Sequence, residues 1–290
     1  MILCFDIGAS RIKAAIAGPS GLTLLGDRPT PLTDLDGFLG ALAAFWQGGL
    51  RGIAISIAGV VDPGSGVGTV ANIPCIHGRA LGPLVSAQLG VPVLVLNDAD
   101  CFALAEAGQG AGRGHGTVFG VILGSGVGGG LVIGGRLVSG AGGFAGEWGH
   151  GPVIRGDYAF ACGCGQVGCV DTVGGARGVE RLWRALGGGD EGSVEILARW
   201  HGGDARAART VDLWETLVAG PLAMVVNVTG AGVVPVGGGL ASDAGLVDRL
   251  DRAVRARILR RTDAPLVVAA TCVPEPGLIG AAEAGRGWLA

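Results

Sequence analysis

Charge is what this chain has least of. Of its 290 residues only 16% are charged, the formal net charge is −3, and Lys13 is the one lysine among 21 basic residues. Without a basic excess there is no electrostatic footprint for nucleic acid or for an anionic membrane surface. The preference for arginine over lysine reads as a genomic composition bias, and no function attaches to it. Long uncharged apolar runs are missing too. Stretches such as "GVILGSGVGGGLVIGG" are broken by glycine and fall short of the roughly 20 residues that a membrane helix needs. The opening "MILCFDIG" enters a strand-like run with no basic segment ahead of an apolar one. No signal peptide is therefore expected, and the chain reads as soluble and cytoplasmic. A disulfide framework is not expected either, because the cysteines number seven and the chain looks intracellular. Cys4, Cys75, Cys101 and Cys272 lie scattered in apolar surroundings and read as small buried hydrophobes.

Glycine and aliphatic residues fill the space that charge leaves. The length suits one large domain or two ordinary ones with a sizeable core. Valine-, isoleucine- and leucine-rich runs recur ("ILCFDI", "GIAISIAG", "VPVLVLND", "VFGVILG", "GLVIGG", "GVVPVGG", "PLVVAA"). Helix-like segments fall between them, among them "DLDGFLGALAAFWQ", "ADCFALAEAGQG" and "TVDLWETLVAGPLAMVVNVTG". This alternation predicts an α/β architecture with largely buried sheets. The Gly-rich "QGAGRGHG", Gln109 to Gly116, is the best candidate boundary. It divides the chain into a small α/β domain over 1–112 and a larger one over 113–275, with a C-terminal helix over 276–290 packing back on the first. The halves also rhyme. "FDIGASRIKAAIAG" and "VILGSGVGGGLVIGG" each read strand, Gly-rich turn, strand, an arrangement with which two domains could clamp one polyphosphate.

Asp6 ends a buried strand before a tight turn with a hydroxyl at Ser10. A carboxylate there can hold Mg²⁺ directly or through water while turn amides meet phosphate oxygens, although the same pattern also makes a plain hairpin. "GSGVGGG", Gly124 to Gly130, is followed by strand-like residues where a dinucleotide site needs a helix, so a Rossmann site is rejected. "LVLNDAD" ends another strand with Asn97, Asp98 and Asp100. Polar residues there suit a ligand site, and Asp98 equally suits a helix N-cap; the local pattern leaves both open. The strongest local signal is "GEWGHGPVIRGDYAFACGCGQVGCVD". Cys162, Cys164 and Cys169 with His150 make a soft four-coordinate set, the donor pattern of a structural zinc with no open position.

These motifs together resemble the ROK family of bacterial sugar kinases and related repressors. The match runs through "FDIGASRIKAAIAG", "ANIP", "LNDADCFALAEA", "LGSGVGGGLV", "GEWGH", "CGCGQVGC" and "VGGGLA", nearly the whole chain, and looks most like the N-acetylglucosamine kinases. The resemblance implies an actin-like (ribonuclease H-like) ATPase fold of two α/β domains with a cleft between them. It implies transfer of the γ-phosphoryl of ATP to a hexose or amino-sugar hydroxyl, usually O6, with ATP, Mg²⁺ and structural Zn²⁺ as cofactors. A homodimer without nucleic-acid or membrane partners is implied as well. By position, Asp98 would be the general base. Asn72, Asn97, Glu147, His150 and Asp171 would join it in holding the sugar. Asp6, Gly8, Ser10 and Lys13 would serve the first phosphate turn, Gly124, Ser125, Gly126 and Gly128 the second, and Gly237, Gly238 and Gly239 the adenosine. His150 would bind zinc through one ring nitrogen and orient sugar-side chemistry.

Some positions depart from the family pattern. Ala9-Ser10 stands for Gly-Thr, Asp100 for Asn, and Asp171, one methylene shorter, for a sugar-binding Glu; the usual Asp-Pro before the adenosine glycines is missing. The leading expectation is a kinase for N-acetylglucosamine or glucose, the alternative an N-acetylmannosamine kinase or fructokinase. A repressor is disfavoured because no helix-turn-helix segment precedes Asp6. A sugar-binding protein without catalysis is the remaining class.

Overall fold

Alternation along the first strand decides what each face of the first sheet can hold. The computed structural model describes residues 1–289. Its strands are β1 (Ile2–Ile7), β2 (Arg11–Gly18), β3 (Gly21–Pro29), β4 (Ile53–Ile57), β5 (Val60–Val61), β6 (Gly68–Thr69), β7 (Val93–Asn97), β8 (Thr117–Leu123), β9 (Val127–Ile133), β10 (Arg136–Leu137), β11 (Val234–Gly237) and β12 (Val267–Ala269). The helices are α1 (Leu35–Ala43), α2 (Leu81–Leu89), α3 (Asp98–Gly108), α4 (Asp171–Gly174), α5 (Ala176–Ala185), α6 (Ser193–His201), α7 (Ala205–Thr229), α8 (Ala244–Arg255) and α9 (Pro276–Trp288). The chain forms two compact units, one of Met1–Gly110, Arg136–Ala145 and Cys272–Ala290, the other of Ala111–Gly135 and Gly146–Thr271. The stretch Arg136–Ala145, placed by the sequence within 113–275, clusters with the first unit.

In the first unit the sheet order is β3-β2-β1-β4-β7. β1 and β2 form an antiparallel hairpin, while β4 and β7 run parallel to β1. Leu3, Phe5 and Ile7 point to one face with Ile53, Ile55 and Ile57, and pack on Phe38 and Leu42 of α1 and Leu81 and Val85 of α2. The opposite face carries Ile2, Cys4, Ala15, Ala17 and Ala54, which are mostly small, and meets Cys101 of α3 and Leu278, Ala281 and Ala282 of α9. Small side chains let α9 lie close. A Cβ on Gly285 would stand 3.1 Å from that of Ala54, and one on Gly280 would collide with the Cys101 backbone. The same alternation puts Asp6 and Ser56 on this face at the C-terminal ends of β1 and β4. β3, whose residues are largely exposed, has no counterpart in the sequence reading.

The second unit repeats the plan: β8 and β9 form an antiparallel hairpin, β11 runs parallel to β8, and β12 parallel to β11. Its core joins these strands to α5, α6, α7 and α8 through Leu182, Trp183, Ile196, Trp214, Val218, Leu222, Leu250 and Val254. α7 corrects one expectation. At 25 residues it is long and apolar enough to cross a membrane by length and composition. Its Trp214, Val218, Leu222 and Val226 are instead buried in this core, while Met224 and Val228 are exposed.

A buried carboxylate closes the first unit where the chain leaves and re-enters it. Glu106 of α3 is 0% exposed, and its Oε1 accepts from the Cys272 amide at 2.7 Å. A side chain at Gly110 would collide with that carboxylate and with the Cys272 sulfur. Glu106→Ala should strand a buried amide and lower stability by about 1–3 kcal/mol. Glu106→Gln, which keeps an acceptor, should lose less; thermal and urea unfolding of the two variants checks the order.

Candidate functional site

Asp6 and its turn come first. In the register Asp6 stands opposite Lys13 on β2 and Ser56 on β4. Ser56 Oγ donates to Asp6 Oδ1 at 2.9 Å. Burial holds the Asp6 carboxyl above its ordinary range, and the Ser56 bond only partly opposes this. Beneath it α9 begins at Pro276, and Gly277 is the residue in contact, since a Cβ there would collide with the Asp6 carboxylate.

The turn after Asp6 is held from behind. Thr30 Oγ1 donates to the Gly8 carbonyl at 2.7 Å, and Thr30 N to the Ser10 carbonyl at 3.1 Å. In a trans peptide C=O and N–H point in opposite directions, so the amides of Ala9 and Arg11 face away from Thr30. Ser10 is exposed at the tip. Lys13, expected on the phosphate side, has its Nζ 2.9 and 3.1 Å from the two oxygens of Glu275.

At the C-terminal end of β7, Asn97 settles which residue caps α3. Its Oδ1 accepts from Ala99 N at 2.7 Å and Asp100 N at 3.3 Å, and its Nδ2 donates to the Gly59 carbonyl at 2.8 Å. The N-cap is therefore Asn97, and Asp98 is the first helical residue, partly buried, with Oδ1 accepting from Ala99 N at 2.9 Å. Asp100 is buried. Asn72 sits in an exposed turn before a short 3₁₀ segment.

The second unit gathers its candidates around the β8–β9 turn. The Gly124 carbonyl accepts from Ala176 N at 2.8 Å and the Ser125 carbonyl from Arg177 N at 3.3 Å, both at the start of α5. By the same peptide geometry the amides of Ser125 and Gly126 face away from α5. Gly238, at φ 88°, packs against this turn so tightly that a Cβ would stand 2.5 Å from the Leu123 carbonyl carbon. Gly238 thus meets the second turn, with Gly237 beside Ile122 in the sheet register. Gly128 lies one residue into β9, with its carbonyl accepting from Trp148 Nε1 at 3.0 Å, so it is a strand residue and not part of the turn. Asp171 Oδ1 accepts from Val127 N at 2.8 Å, a contact with the turn and not one read from the sequence.

The ligand atoms of His150, Cys162, Cys164 and Cys169 all lie within 4.8 Å of one another. Cys164 and Cys169 sulfurs are 3.7 Å apart, and Cys162 Sγ is 3.7 Å from His150 Nδ1. That separation is far too long for a disulfide and close to the edge of a tetrahedron with metal–sulfur bonds of about 2.3 Å. Cys164 is lowered to about 7, chiefly by the backbone amide of Gln166, whereas burial pushes Cys162 up to about 12. The donor set fits a soft divalent metal. The second ring nitrogen of His150 faces Glu147 at 3.7 Å. Burial raises the Glu147 carboxyl above its ordinary range; His150 opposes this and Asp171 adds to it.

A ROK family model matches residues 2–285. The chain belongs to the ROK family. The N-acetyl-D-glucosamine kinase of Pasteurella multocida is 32% identical over 297 residues, covering 96% of this chain and 97% of that protein. A ROK hexokinase from Thermus thermophilus superposes with a TM-score of 0.86 at 31% identity, covering 97% and 96% of the two chains. A ROK family glucokinase from Streptomyces griseus, in complex with glucose and AMPPNP, gives 0.79 at 27% identity over 99% of each chain. The fold is accordingly the actin-like ATPase fold expected from the motifs. Four residues around the first site escaped the sequence: Thr30, Ser56, Glu275 and Gly277. None sits in a motif; Thr30 reaches the turn, Ser56 and Gly277 reach Asp6, and Glu275 reaches Lys13.

A raised pKa carries a stability consequence at Asp6. An acid whose folded pKa exceeds its unfolded value stabilises the fold in its protonated form. That contribution is lost as pH rises from the unfolded value through the raised one. At pH 7, above the unfolded value, Asp6 therefore costs stability. Asp6→Asn keeps an acceptor for Ser56 and should raise the melting temperature at neutral pH. The gain should shrink as the parent's Asp6 protonates toward about pH 4; melting curves of both proteins across that range measure it.

Proposed function

We propose that the chain is an ATP-dependent sugar kinase that transfers the γ-phosphoryl group to O6 of N-acetylglucosamine, with glucose the next acceptor to test. The observation that carries the reading is Asp98, a partly buried carboxylate just past the C-terminal end of a parallel strand, beside a residue that already caps the helix. With Asn97 as the cap, the bland role open to Asp98 in the sequence is filled. The relatedness to an N-acetyl-D-glucosamine kinase favours that acceptor.

Phosphoryl transfer asks for alignment, charge neutralisation and a group to receive the hydroxyl proton. Asp98 accepts the O6 proton as the O6–phosphorus bond forms and the bond from the γ-phosphorus to the bridging oxygen breaks, releasing ADP. Asn97, with three of its four hydrogen bonds committed to the backbone, offers at most one amide hydrogen to a sugar hydroxyl. Glu147, His150 and Asn72 complete the sugar-holding set. The outward amides of the first turn, with Ser10, and those of Ser125 and Gly126 take the phosphates. Gly237 to Gly239 lie along the adenosine. Asp6 would hold Mg²⁺, which neutralises phosphate charge when bound.

His150 and the three cysteines would hold zinc, which supplies a cross-link for the loop between them and fixes the imidazole beside Glu147. The homodimer and the cytoplasmic location implied by the family resemblance belong to the same reading.

An ATP-coupled assay with N-acetylglucosamine, glucose, N-acetylmannosamine and fructose tests the proposal, and turnover on none of them would reject it. Asp98→Asn should cut kcat by roughly 10²-fold or more with KM for sugar within a few-fold. Near-normal kcat would remove Asp98 from the base role. Metal analysis of native protein should find one zinc per chain. Cys162→Ala should lose it and melt earlier; zinc-free native protein of normal stability would refute the clip.

A further inference from the structure

Asp171 has two neighbours that the sequence does not join: the cysteine clip and the second glycine turn. Its backbone amide donates to the Gly149 carbonyl at 2.9 Å, which fixes the residue at the start of α4. From there Oδ1 accepts from Val127 N at 2.8 Å, while Oδ2 lies 3.9 Å from Cys162 Sγ. Val127 is the first residue after the turn and stands opposite Leu123 in the hairpin register. The close fit has a second sign. A Cβ built on Gly126 would collide with Asp171 Oδ1, although Gly126 does not have the positive φ that would call for glycine on conformational grounds.

We infer that Asp171 is a positioning residue for the nucleotide side of the site and not a ligand of the sugar. The turn is held on both flanks. α5 takes the carbonyls of Gly124 and Ser125, and the Asp171 carboxylate takes the amide of Val127. With the amide beyond the turn fixed as well as the carbonyls within it, the outward peptides of Ser125 and Gly126 have little freedom to rotate. A preset pair of amides binds a phosphate oxygen without ordering the turn first. The shorter side chain ends at the turn, where the Glu usual in the family reaches the sugar. This inference rests on the kinase reading.

Calorimetry that measures a non-hydrolysable ATP analogue and N-acetylglucosamine separately tests it. Asp171→Ala should weaken the analogue by roughly 10-fold, as expected for loss of a charge-assisted hydrogen bond, and leave the sugar within about 3-fold. Asp171→Asn, which keeps an acceptor for Val127, should hold the analogue within about 3-fold of the parent. Gly126→Ala, which displaces the carboxylate without touching the clip, should reproduce the Asp171→Ala pattern. The double variant should be no worse than either single one, because the new methyl then occupies the vacated space. Weakened sugar binding with an unchanged analogue in Asp171→Ala, or additive losses in the double variant, would overturn the inference. Should Asp171→Ala fail to fold, Asp171→Ser, which withdraws the carboxylate from Val127, decides by the same split. A parent that binds neither compound defeats the kinase reading, and the inference with it.

Discussion

A peptide group cannot show both of its polar ends to the same partner. The two glycine-rich turns after β1 and β8 depend on that constraint. Behind the first turn, Thr30 takes the carbonyls of Gly8 and Ser10; behind the second, α5 takes those of Gly124 and Ser125. With the carbonyls claimed from within the protein, the amides must face outward, and outward amides are what an anion needs. The two units reach this result with unrelated devices. One uses the hydroxyl and the amide of Thr30, just beyond the edge strand, and the other the bare start of a helix. The common element is the hairpin, which places the turn at the C-terminal end of a strand flanked by a parallel neighbour.

Small residues make the rest of the first site possible. Cys4, Ala15, Ala17 and Ala54 leave room for α9 to approach the sheet, and Gly277 leaves room for the Asp6 carboxylate at the helix start. Asp6 is thereby buried enough for its charge to be costly. Ser56 offsets part of the cost with one hydrogen bond.

In the second unit the clip and the turn form one piece of structure. His150 offers Nδ1 to the sulfur cluster and turns its other nitrogen toward Glu147, while Asp171 leads from Cys162 to the Val127 amide. A metal held there would organise backbone on both sides of α4, and with four protein donors it would serve as a cross-link.

Much of this was legible in the sequence, and the reason is local. Strand alternation, the Gly-rich breaks after Asp6 and Leu123, the spacing of three cysteines and a histidine, and the family motifs all concern residues close together in the chain. Their chemistry follows from composition and order alone. The sequence could not say that Asn97 and not Asp98 caps α3, that Lys13 is paired with Glu275, that Gly128 lies in a strand, or that Asp171 reaches Val127. Nor did it point to Thr30, Ser56 or Gly277. Most of these depend on which atoms of distant segments come within reach of one another. That is settled by sheet register and helix approach, because a hydrogen bond tests distance and angle, which no spacing along the chain encodes.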